Sequence, residues 1–480
     1  MKTIHFLKMF VLLIVLSVIP GCSSDDNKST DSGITFAVTP ETLQFTAAGG
    51  NNILNISIDP ARQWTINNPA GWVTIEAVSG TGMAHLNFTV AANESTEARS
   101  ATVVVTSDTE TRQLVITQDA YVPTGIVYDV TPDASNMGTW TSVELTAQMG
   151  TGWNLGNSLE AIGGETAWGN PATTHAFIDA VKAAGFNTIR IPVSWSVFSN
   201  SADYTISATW MSRVEEVVNY ALDNNMYVIM NEHWDGGWMQ PTAAQKDYVN
   251  DRLGKMWKQI ATHFRDYDYH LLFAGSNEVM VEGNYNTPTA EYYTTQNSFN
   301  QTFVNAVRST GGRNAYRYLV VQGFNTNIDH TVNFAQIPED VDIATNRLMM
   351  EVHYYDPYNF TLNENSTITQ WGSIATDPAA TETWANESYV DAEFQKMKTN
   401  FIDQGVGVIL GEFGAIVRTD VEGSETFRKY YLHYVSNSAR THGLVPVYWD
   451  NGFIGNHTMA IFNRNTGEVV YPEILASILP

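Results

Sequence analysis

The sequence predicts an α/β chain in which a (β/α)8 TIM barrel follows a small all-β, immunoglobulin-like sandwich. Residues 35–121 hold short runs of β-branched residues between turn clusters, without a helical period. Residues 134–480 alternate eight apolar, strand-like runs with segments of helical period. No glycine-rich phosphate loop follows the first of these runs, which argues against an open doubly wound sheet.

Composition indicates a folded chain and excludes nucleic acid as a partner. The 480 residues are 44% hydrophobic and 12% aromatic, with only 16% charged, so a large core is available. The length fits about two to four domains. The 25 Lys+Arg against 50 Asp+Glu give a formal charge of -25, the wrong sign for a phosphate backbone.

Residues 1–21 predict a signal peptide. Lys2 and Lys8 precede or flank the apolar run 10–16, which is the pattern of a charged n-region followed by a short h-region. The apolar run is shorter than the roughly 20 residues that span a bilayer. We therefore expect export and removal of this segment.

Cys22, the single cysteine of the chain, follows the signal segment directly. The order Ile-Pro-Gly-Cys resembles a bacterial lipobox, which implies lipidation at Cys22, and the following Ser-Ser-Asp-Asp resembles the export signal of Bacteroidetes surface lipoproteins. We expect an outer-membrane lipoprotein exposed at the cell surface, touching membrane only through this anchor. An ordinary secretory signal with a leftover thiol is the alternative, and no disulfide forms within the chain.

Residues 22–34 predict a flexible tether, and residues 35–121 predict the sandwich. The stretches "RQWTINNPAGWVTIEAVSGTG" and "VAANESTEARSATVVVTS" resemble a BACON domain, whose name implies glycan binding. Trp64 and Trp72 are the aromatic candidates, but alternating strands more often bury such residues. We expect a spacer. The strand candidates are 53–58, 72–75, 86–90, 102–106 and 114–117.

Residues 122–133 predict a proline-bracketed linker, and residues 134–480 predict the barrel. Within the barrel, residues 210–224 carry an apolar stripe at helical spacing, at positions 211, 214, 217, 218 and 221. The eight strand candidates are 150–155, 188–192, 227–233, 271–277, 318–323, 348–355, 406–412 and 445–449.

Polar residues close most of the predicted barrel strands, where the catalytic groups of such barrels lie. Glu278 follows the fourth strand and Glu412 ends the seventh, so we expect the two carboxyl groups to face each other across the barrel mouth. Cleavage of a glycosidic bond needs such a pair, because one group protonates the leaving oxygen while the other attacks or activates water.

The motifs "GFNTIRIPVSW", "VIMNEHW", "LLFAGSNEV", "MMEVHYYDPYNF", "VILGEFG" and "VPVYWDNG" resemble glycoside hydrolase family 5, the retaining cellulase family, over residues 148–480. The resemblance implies Glu278 as acid/base and Glu412 as nucleophile. It also implies supporting and substrate-binding roles, in which Arg190 and Tyr355 position Glu412, His233 and His353 line the attacked sugar's subsite, Asn277 holds its 2-hydroxyl and Trp449 lies beneath it.

Local geometry adds two expectations. Glu351, His353 and Tyr355 alternate along the sixth strand and therefore share one face. Asn277 and Glu278 are adjacent, so both reach the site only if the fourth strand ends or bends there. We also expect Arg190 to lower the pKa of Glu412 and so favour the ionised nucleophile.

Further cleft contacts are expected from Asn154, Trp234 and Trp371, which lie at strand ends or in the following loops. A row of aromatic residues suits the apolar faces of pyranose rings, so it favours a polymer held over several subsites. The loop 359–386, which contains Trp371, is expected to wall the cleft.

These features together predict a retaining endo-β-1,4-glucanase that acts on cellulose-type glucan, xyloglucan or mixed-linkage glucan. A mannanase or xylanase on the same scaffold and a non-catalytic surface glycan-binding protein are the alternatives. A metal site at His233 and His353 is disfavoured because the chain has no HExxH motif and no His-x-His pair on the first strand. We expect a monomer without metal or cofactor, with β-glucan as its partner.

Overall fold

The computed structural model describes residues 35–93, 95, 98–119, 126–341 and 344–480. The chain divides into two compact units, with the boundary between residues 123 and 124. The signal segment 1–21, Cys22 and the tether to residue 34 lie outside the described residues, so their predictions stay predictions. Within the described ranges, no helix is long and apolar enough to cross a membrane.

The first unit is all β, as predicted. Its sheets have the orders β1-β3-β7-β5 and β2-β9-β8-β4-β6, with β2 and β9 parallel and the other neighbours antiparallel. Alternate residues of β8 are buried, which is the pattern of a strand with one face in a core. The strands are β1 Ala37–Thr39, β2 Thr42–Phe45, β3 Gly50–Ser57, β4 Gln63–Asn67, β5 Val73–Ile75, β6 Ser79–Thr81, β7 Ala84–Val90, β8 Arg99–Ser107 and β9 Glu110–Gln118.

Both tryptophans of the sandwich pack within it. Trp64 is only 4% exposed, and its Nε1 donates a hydrogen bond to the carbonyl oxygen of Gly82 at 2.9 Å. Trp72 is half-buried, with the guanidinium of Arg99 4.4 Å from its ring centre. Trp64 is therefore a core residue, and a cation covers one face of Trp72.

The second unit contains a closed barrel of eight parallel strands in sequence order. Each of the eight predicted barrel strands is present. The predicted fold class, a (β/α)8 barrel after an all-β sandwich, is confirmed. The strands are β10 Gly152–Leu155, β11 Thr188–Ile191, β12 Tyr227–Asn231, β13 Leu271–Ala274, β14 Leu319–Gln322, β15 Leu348–Tyr354, β16 Gly407–Phe413 and β17 Leu444–Asp450.

The helices follow the strands around the barrel. In α3 the apolar stripe expected from the sequence is buried, including Met211, Val214, Val217, Val218 and Ala221. The helices are α1 Ser142–Met149, α2 His175–Ala183, α3 Ala208–Asp223, α4 Lys246–His263, α5 Ala290–Ser309, α6 Ile328–Phe334, α7 Tyr358–Thr361, α8 Glu387–Asn400, α9 Ser424–Thr441 and α10 Pro472–Ile478.

Helix α1 closes the N-terminal end of the barrel. The N–H of Ser142 donates to the carbonyl of Asn346, just before β15, and the Ser142 hydroxyl accepts from the N–H of Gly407, the first residue of β16. Leu145 and Met149 join the apolar cluster inside the strands. The C-terminal ends of the strands are thereby left for the functional site.

Part of the predicted linker belongs to the barrel unit. The N–H of Asp129 donates to the carbonyl of Ser309, and the N–H of Asp133 donates to the carbonyl of Gly312, at 2.8 and 3.0 Å. The prolines in this stretch predict a barrel boundary at residue 134, whereas these backbone hydrogen bonds tie residues 129–133 to the loop after α5.

Candidate active site

Most of the predicted site residues converge at the C-terminal end of the barrel. Glu412 lies within β16 and is 8% exposed in its side chain, while Glu278 follows β13 and is 39% exposed. His353 lies within β15, and Tyr355 comes directly after that strand. The two carboxyl groups therefore differ in solvation, with Glu412 buried and Glu278 open to the cleft.

The chain bends sharply at Glu278. A bend is predicted here because Asn277 and Glu278 are adjacent and both have to reach the site. Strand β13 ends at Ala274, and Glu278 has a φ of 49°, in the left-handed region that residues other than glycine rarely adopt. The N–H of Glu278 donates to Oε1 of Gln322 on β14 at 3.0 Å. This bend brings both Asn277 and Glu278 to the barrel mouth.

The separation of the two carboxyl groups bears on stereochemistry. One carboxylate oxygen of Glu278, one of Glu412 and a ring nitrogen of His353 lie within 4.8 Å of one another. Retaining glycosidases hold their two carboxyl groups about 5 to 5.5 Å apart, whereas inverting enzymes leave about 6.5 to 9.5 Å for a water molecule. The arrangement therefore fits the shorter separation of the retaining enzymes, in which a carboxylate attacks directly.

Arg190 is fully buried and connects the nucleophile candidate to its surroundings. Its Nη1 donates to Oε1 of Glu412 at 3.0 Å and to Oδ1 of Asn154 at 2.9 Å, and its Nη2 donates to Oδ1 of Asn277. Its Nε forms an ion pair with Oε1 of Glu351 at 3.0 Å. The guanidinium thus fixes Glu412 and Asn277 in one frame.

The prediction that Asn154 contacts substrate is wrong. Its side chain is completely buried on β10, where Nδ2 donates to the carbonyl of Gly411 at 2.8 Å and Oδ1 accepts from Arg190. A position at a strand end predicts exposure to the cleft, but this side chain is turned into the barrel, towards β16 and β11. Asn154 supports Arg190 instead.

Burial raises the pKa of Glu412 above its ordinary value, although the charges of His353 and Arg190 oppose this shift. Arg190 lowers this pKa as expected, but burial has the larger effect, so the net shift is upward. Tyr355 donates its hydroxyl to Oε2 of Glu412 at 3.0 Å. The pKa of Tyr355 is raised well above the usual value, first by burial and then by Glu412, so it remains a donor.

His353 lies among three carboxylates. Its Nδ1 is 2.6 Å from Oε1 of Glu278 and 3.7 Å from Oε2 of Glu412, and its Nε2 is 3.0 Å from Oε1 of Glu351. Burial alone would lower its pKa, but these anions outweigh burial and raise the pKa to about 9. The imidazole is therefore protonated at neutral pH.

The hydrogen bonds of His353 to carboxylates use both of its ring nitrogens. Glu278, His353 and Glu412 offer ligand atoms close enough together for one ion. A histidine binds metal through an unprotonated ring nitrogen, whereas both nitrogens of His353 face carboxylate oxygens as donors. The three residues therefore fit a hydrogen-bonded proton network better than a cation site.

His233 presents a defined donor to the cleft. The N–H of Val193 donates to Oδ1 of Asn231, so Nδ2 of Asn231 faces Nδ1 of His233 at 3.1 Å and donates to it. Burial, helped by the charges of Arg190 and His353, holds the pKa of His233 well below its usual value. The neutral ring therefore carries its proton on Nε2.

The ring of His233 stacks on Trp449, which is half-buried at the end of β17. The two ring centres are 5.8 Å apart and the planes differ by 8°. Trp449 therefore has one face towards His233, and its indole is held in a fixed orientation at the barrel mouth.

Trp234 is a cleft residue, as expected. Its side chain is 51% exposed, and with Asn277, Glu278, Met239 and Met280 it lines a cavity next to the bend at Glu278. An exposed indole beside a carboxyl group that can protonate a leaving oxygen suits the sugar on the leaving-group side.

The loop that carries Trp234 is held in place by two acidic side chains, Glu232 and Asp235. Oε1 of the buried Glu232 accepts from Nε1 of Trp238 at 2.8 Å. Asp235 accepts from the backbone N–H groups of Ser196 and Val197. Burial, together with the Asp235 charge, raises the pKa of Glu232 well above its usual value. The loop is therefore tied to the segment after β11.

The prediction that Trp371 contacts substrate is wrong. Its side chain is 2% exposed, its Nε1 donates to the carbonyl of Ala385 at 2.7 Å, and its ring packs against Tyr430, Tyr431 and Tyr434. A long loop after a barrel strand suggested exposure, but this loop folds back onto α9 and forms an aromatic cluster of its own.

Two supporting residues of the site, Glu351 and Gln322, are not among those predicted from the sequence. Glu351 is completely buried and contacts both Arg190 and His353, and Gln322, its register partner on β14, accepts from the N–H of Glu278. The alternation of Glu351 with His353 gave a signal for the first. A glutamine at a strand end gave no comparable signal.

Comparison with known proteins matches both units of the chain. The model for cellulase, glycosyl hydrolase family 5, matches residues 154–454, and the BACON model, an N-terminal binding domain, matches residues 62–119. The resemblances inferred from the sequence motifs are thereby confirmed.

Relatives match across the chain. The xyloglucan-specific endo-beta-1,4-glucanase of Bacteroides ovatus is 38% identical over 98% of this chain and 95% of its own length. Endoglucanase A of Paenibacillus barcinonensis is 43% identical over 72% of this chain and 91% of its own length. The solved structure of a Bacteroides ovatus GH5 xyloglucanase with a XXXG heptasaccharide matches with a TM-score of 0.72 at 38% identity, covering 92% of this chain and 99% of that one. Because the family model spans more than half of the residues and these relatives align over most of their length, the chain belongs to glycosyl hydrolase family 5.

Proposed function

We propose that the chain is a retaining endo-β-1,4-glucanase that cleaves internal bonds of a β-glucan. The observation that carries this proposal is the pair Glu278 and Glu412, whose nearest carboxylate oxygens lie within 4.8 Å at the mouth of the barrel. The names of the relatives, endoglucanase and xyloglucan-specific endo-beta-1,4-glucanase, support the class of polymer.

Catalysis proceeds by double displacement. The Glu412 carboxylate attacks the anomeric carbon while Glu278 donates its proton to the departing glycosidic oxygen, which gives a glycosyl ester on Glu412 and a free chain end. Glu278 then removes a proton from water, the water oxygen attacks the same carbon, and the ester bond to Glu412 breaks. Glu278 ends protonated and Glu412 ionised, so both residues return to their starting states.

Supporting residues hold the reacting groups and the sugar. Tyr355 and Arg190 each donate to one oxygen of Glu412, which aligns the carboxylate for attack. Asn277 gives its side-chain oxygen to Arg190, so its amide nitrogen is available to the sugar's 2-hydroxyl. His233 offers Nε2–H, and Trp449 offers an aromatic face.

Release of reducing ends tests the class of enzyme and its polymer. The purified chain is assayed in parallel on carboxymethylcellulose, xyloglucan, mixed-linkage glucan, mannan and xylan, and cleavage of at least one β-glucan is expected. Because one relative is named for xyloglucan, this polymer is expected among the substrates. Exclusive cleavage of mannan or xylan would favour the alternative hydrolases, and glycan binding without cleavage would favour a binding protein.

Variants separate the two carboxyl groups. Glu278→Ala is expected to lower turnover of polysaccharide about 10²- to 10⁴-fold, but to retain attack on an aryl cellobioside whose leaving group needs no proton. Glu412→Ala is expected to lose both reactions, because the nucleophile is absent. Glu473→Gln is the control, since this exposed carboxyl group on α10 pairs with Lys429 on α9. Equal loss on both substrates in Glu278→Ala would contradict its role as acid.

We also propose that the mature chain is a lipoprotein anchored through Cys22 at the outer membrane. The single cysteine directly after an apolar signal segment supports this proposal. Cys22→Ala is expected to move the protein from the membrane fraction to the soluble fraction. Retention of the variant in membranes would contradict anchoring at this residue.

A further inference from the structure

A third carboxylate, Glu351, lies beneath the catalytic pair and reaches no solvent. It is completely buried on β15, where Oε1 is 3.0 Å from Nε of Arg190 and 3.0 Å from Nε2 of His353. Burial alone would raise the pKa of Glu351, but Arg190 and His353 outweigh it and hold the pKa below the ordinary value. Glu351 is therefore an anion.

Each of the two cations that Glu351 contacts also reaches a catalytic carboxyl group. Arg190 donates from Nη1 to Glu412 at 3.0 Å, and His353 places Nδ1 2.6 Å from Glu278. The contact of each cation with Glu351, an ion pair for Arg190 and a hydrogen bond for His353, thus restrains the direction of the hydrogen bond on its other side.

The backbone of β16 accommodates this carboxylate. A Cβ on Gly411, the residue before Glu412, would overlap the Glu351 carboxyl group. The pairing of β15 with β16 also shifts register between Val352 and His353, so that His353 lies opposite Glu412. The glycine of the "GEFG" motif therefore leaves space for Glu351 directly behind the nucleophile candidate.

We propose that Glu351 is a positioning residue that holds Arg190 and His353 in line with Glu412 and Glu278. It touches neither substrate nor reacting atoms and acts through these two cations. By accepting from Nε2 of His353, it leaves Nδ1 of that ring directed at Glu278. The inference rests on the proposed function, whose acid/base and nucleophile it serves.

Glu351→Gln tests the charge, because glutamine keeps the size of the side chain. We expect kcat to fall about 10²-fold, the effect of small misplacements of reacting groups, with KM unchanged since Glu351 is remote from substrate. The charged groups around Glu412 are His353, Arg190, Glu278 and Glu351, and removing the last of these anions lowers the pKa of Glu412. The acidic limb of the kcat profile is therefore expected to move about one pH unit lower.

Glu351→Asp tests position at constant charge. The acidic limb of the kcat profile is expected at the same pH as in the unchanged chain. The value of kcat is expected to fall, because a carboxylate retracted by about 1.5 Å no longer reaches both Arg190 and His353. Asp340→Asn is the matched control, since Asp340 pairs with the buried Arg308 at 2.7 Å near the end of α5, away from the barrel mouth. It is expected to lower the melting temperature without moving the pH profile.

Histidine-selective ¹⁵N NMR supplies a readout that needs no activity. His353 in the unchanged chain is expected to lose its proton near pH 9, and in Glu351→Gln at a lower pH. A folded Glu351→Gln variant with unchanged kcat and an unmoved acidic limb would overturn the proposal, as would full kcat in Glu351→Asp. If the unchanged chain cleaves no β-glucan, the proposed function has failed, and the NMR titration still decides whether Glu351 holds His353.

Discussion

Arg190→Met removes the cation that contacts side chains of three other strands, namely Asn154 on β10, Glu351 on β15 and Glu412 on β16. Methionine fills a similar volume, so the cost comes from leaving Glu351 and Glu412 without their partner at 3.0 Å rather than from a cavity. Removing one member of a buried ion pair costs about 3–5 kcal/mol. Unfolding entropy for a barrel of this length is about 0.7 kcal/mol per degree, so the melting temperature is expected to fall about 4–7 °C.

The same change alters the pH dependence in a defined direction. Arg190 lowers the pKa of Glu412 against the effect of burial, so its removal raises this pKa further. Turnover is then lost at a higher pH on acidification, which is opposite to the shift expected for Glu351→Gln.

Calorimetry and kcat/KM profiles between pH 4 and pH 8, a range chosen to span about the pKa of glutamate and of histidine, measure both effects. Arg308→Met is the control, because Arg308 is equally buried and pairs with Asp340 away from the site. It is expected to melt earlier with an unmoved profile. A melting temperature within about 1 °C of the unchanged chain, or an acidic limb that stays in place, would refute the reasoning for Arg190.

Three other predictions follow from the site. Trp234→Ala is expected to raise KM about tenfold through loss of stacking on the sugar, with little change in melting temperature. Trp371→Ala, at a buried position, is expected to lose about 3–5 kcal/mol of stability with KM unchanged. Steady-state kinetics and thermal melts of the two variants measure these effects. Because Glu412 must be ionised and burial raises its pKa, the acidic limb of kcat/KM is expected above about pH 4.3, and a limb at or below that value would contradict the raised pKa. Excess EDTA is expected to leave turnover unchanged, since both ring nitrogens of His353 are hydrogen-bonded to carboxylates; loss restored by added zinc would instead indicate a metal enzyme.

The fold could be predicted from the sequence because most barrel strands combine an apolar run with a polar residue near the strand end. β16, for example, reads as a buried strand closed by Glu412 and Phe413. Strand ends were less well predicted. The strand predicted over residues 271–277 is too long by three residues, because the chain leaves the sheet after Ala274 to form the bend at Glu278. Small strands of the sandwich such as β6, with the sequence Ser-Gly-Thr, carry no apolar pattern and were missed.

Sequence patterns identified the residues that meet at the site but not the direction of every side chain. Arg190, His353 and Tyr355 were predicted correctly as neighbours of the carboxyl pair, because alternation along a strand fixes the face. Asn154 and Trp371 were misassigned, since an amide or an indole near a strand end is equally able to satisfy the backbone of a neighbouring segment. The net pKa shift of Glu412 depends on burial, which no local pattern reports.

Covalent trapping tests the central claim most directly. A 2-deoxy-2-fluoro cello-oligosaccharide with a good leaving group slows both steps by destabilising the positive charge at the anomeric carbon, and the good leaving group lets the first step proceed. Mass spectrometry of peptides from the inactivated chain is expected to place one sugar adduct on Glu412, and the adduct is expected to form also in Glu278→Ala. An adduct on Glu278 or Glu351, or no adduct while the same chain cleaves β-glucan, would contradict the account of Glu412 as the nucleophile.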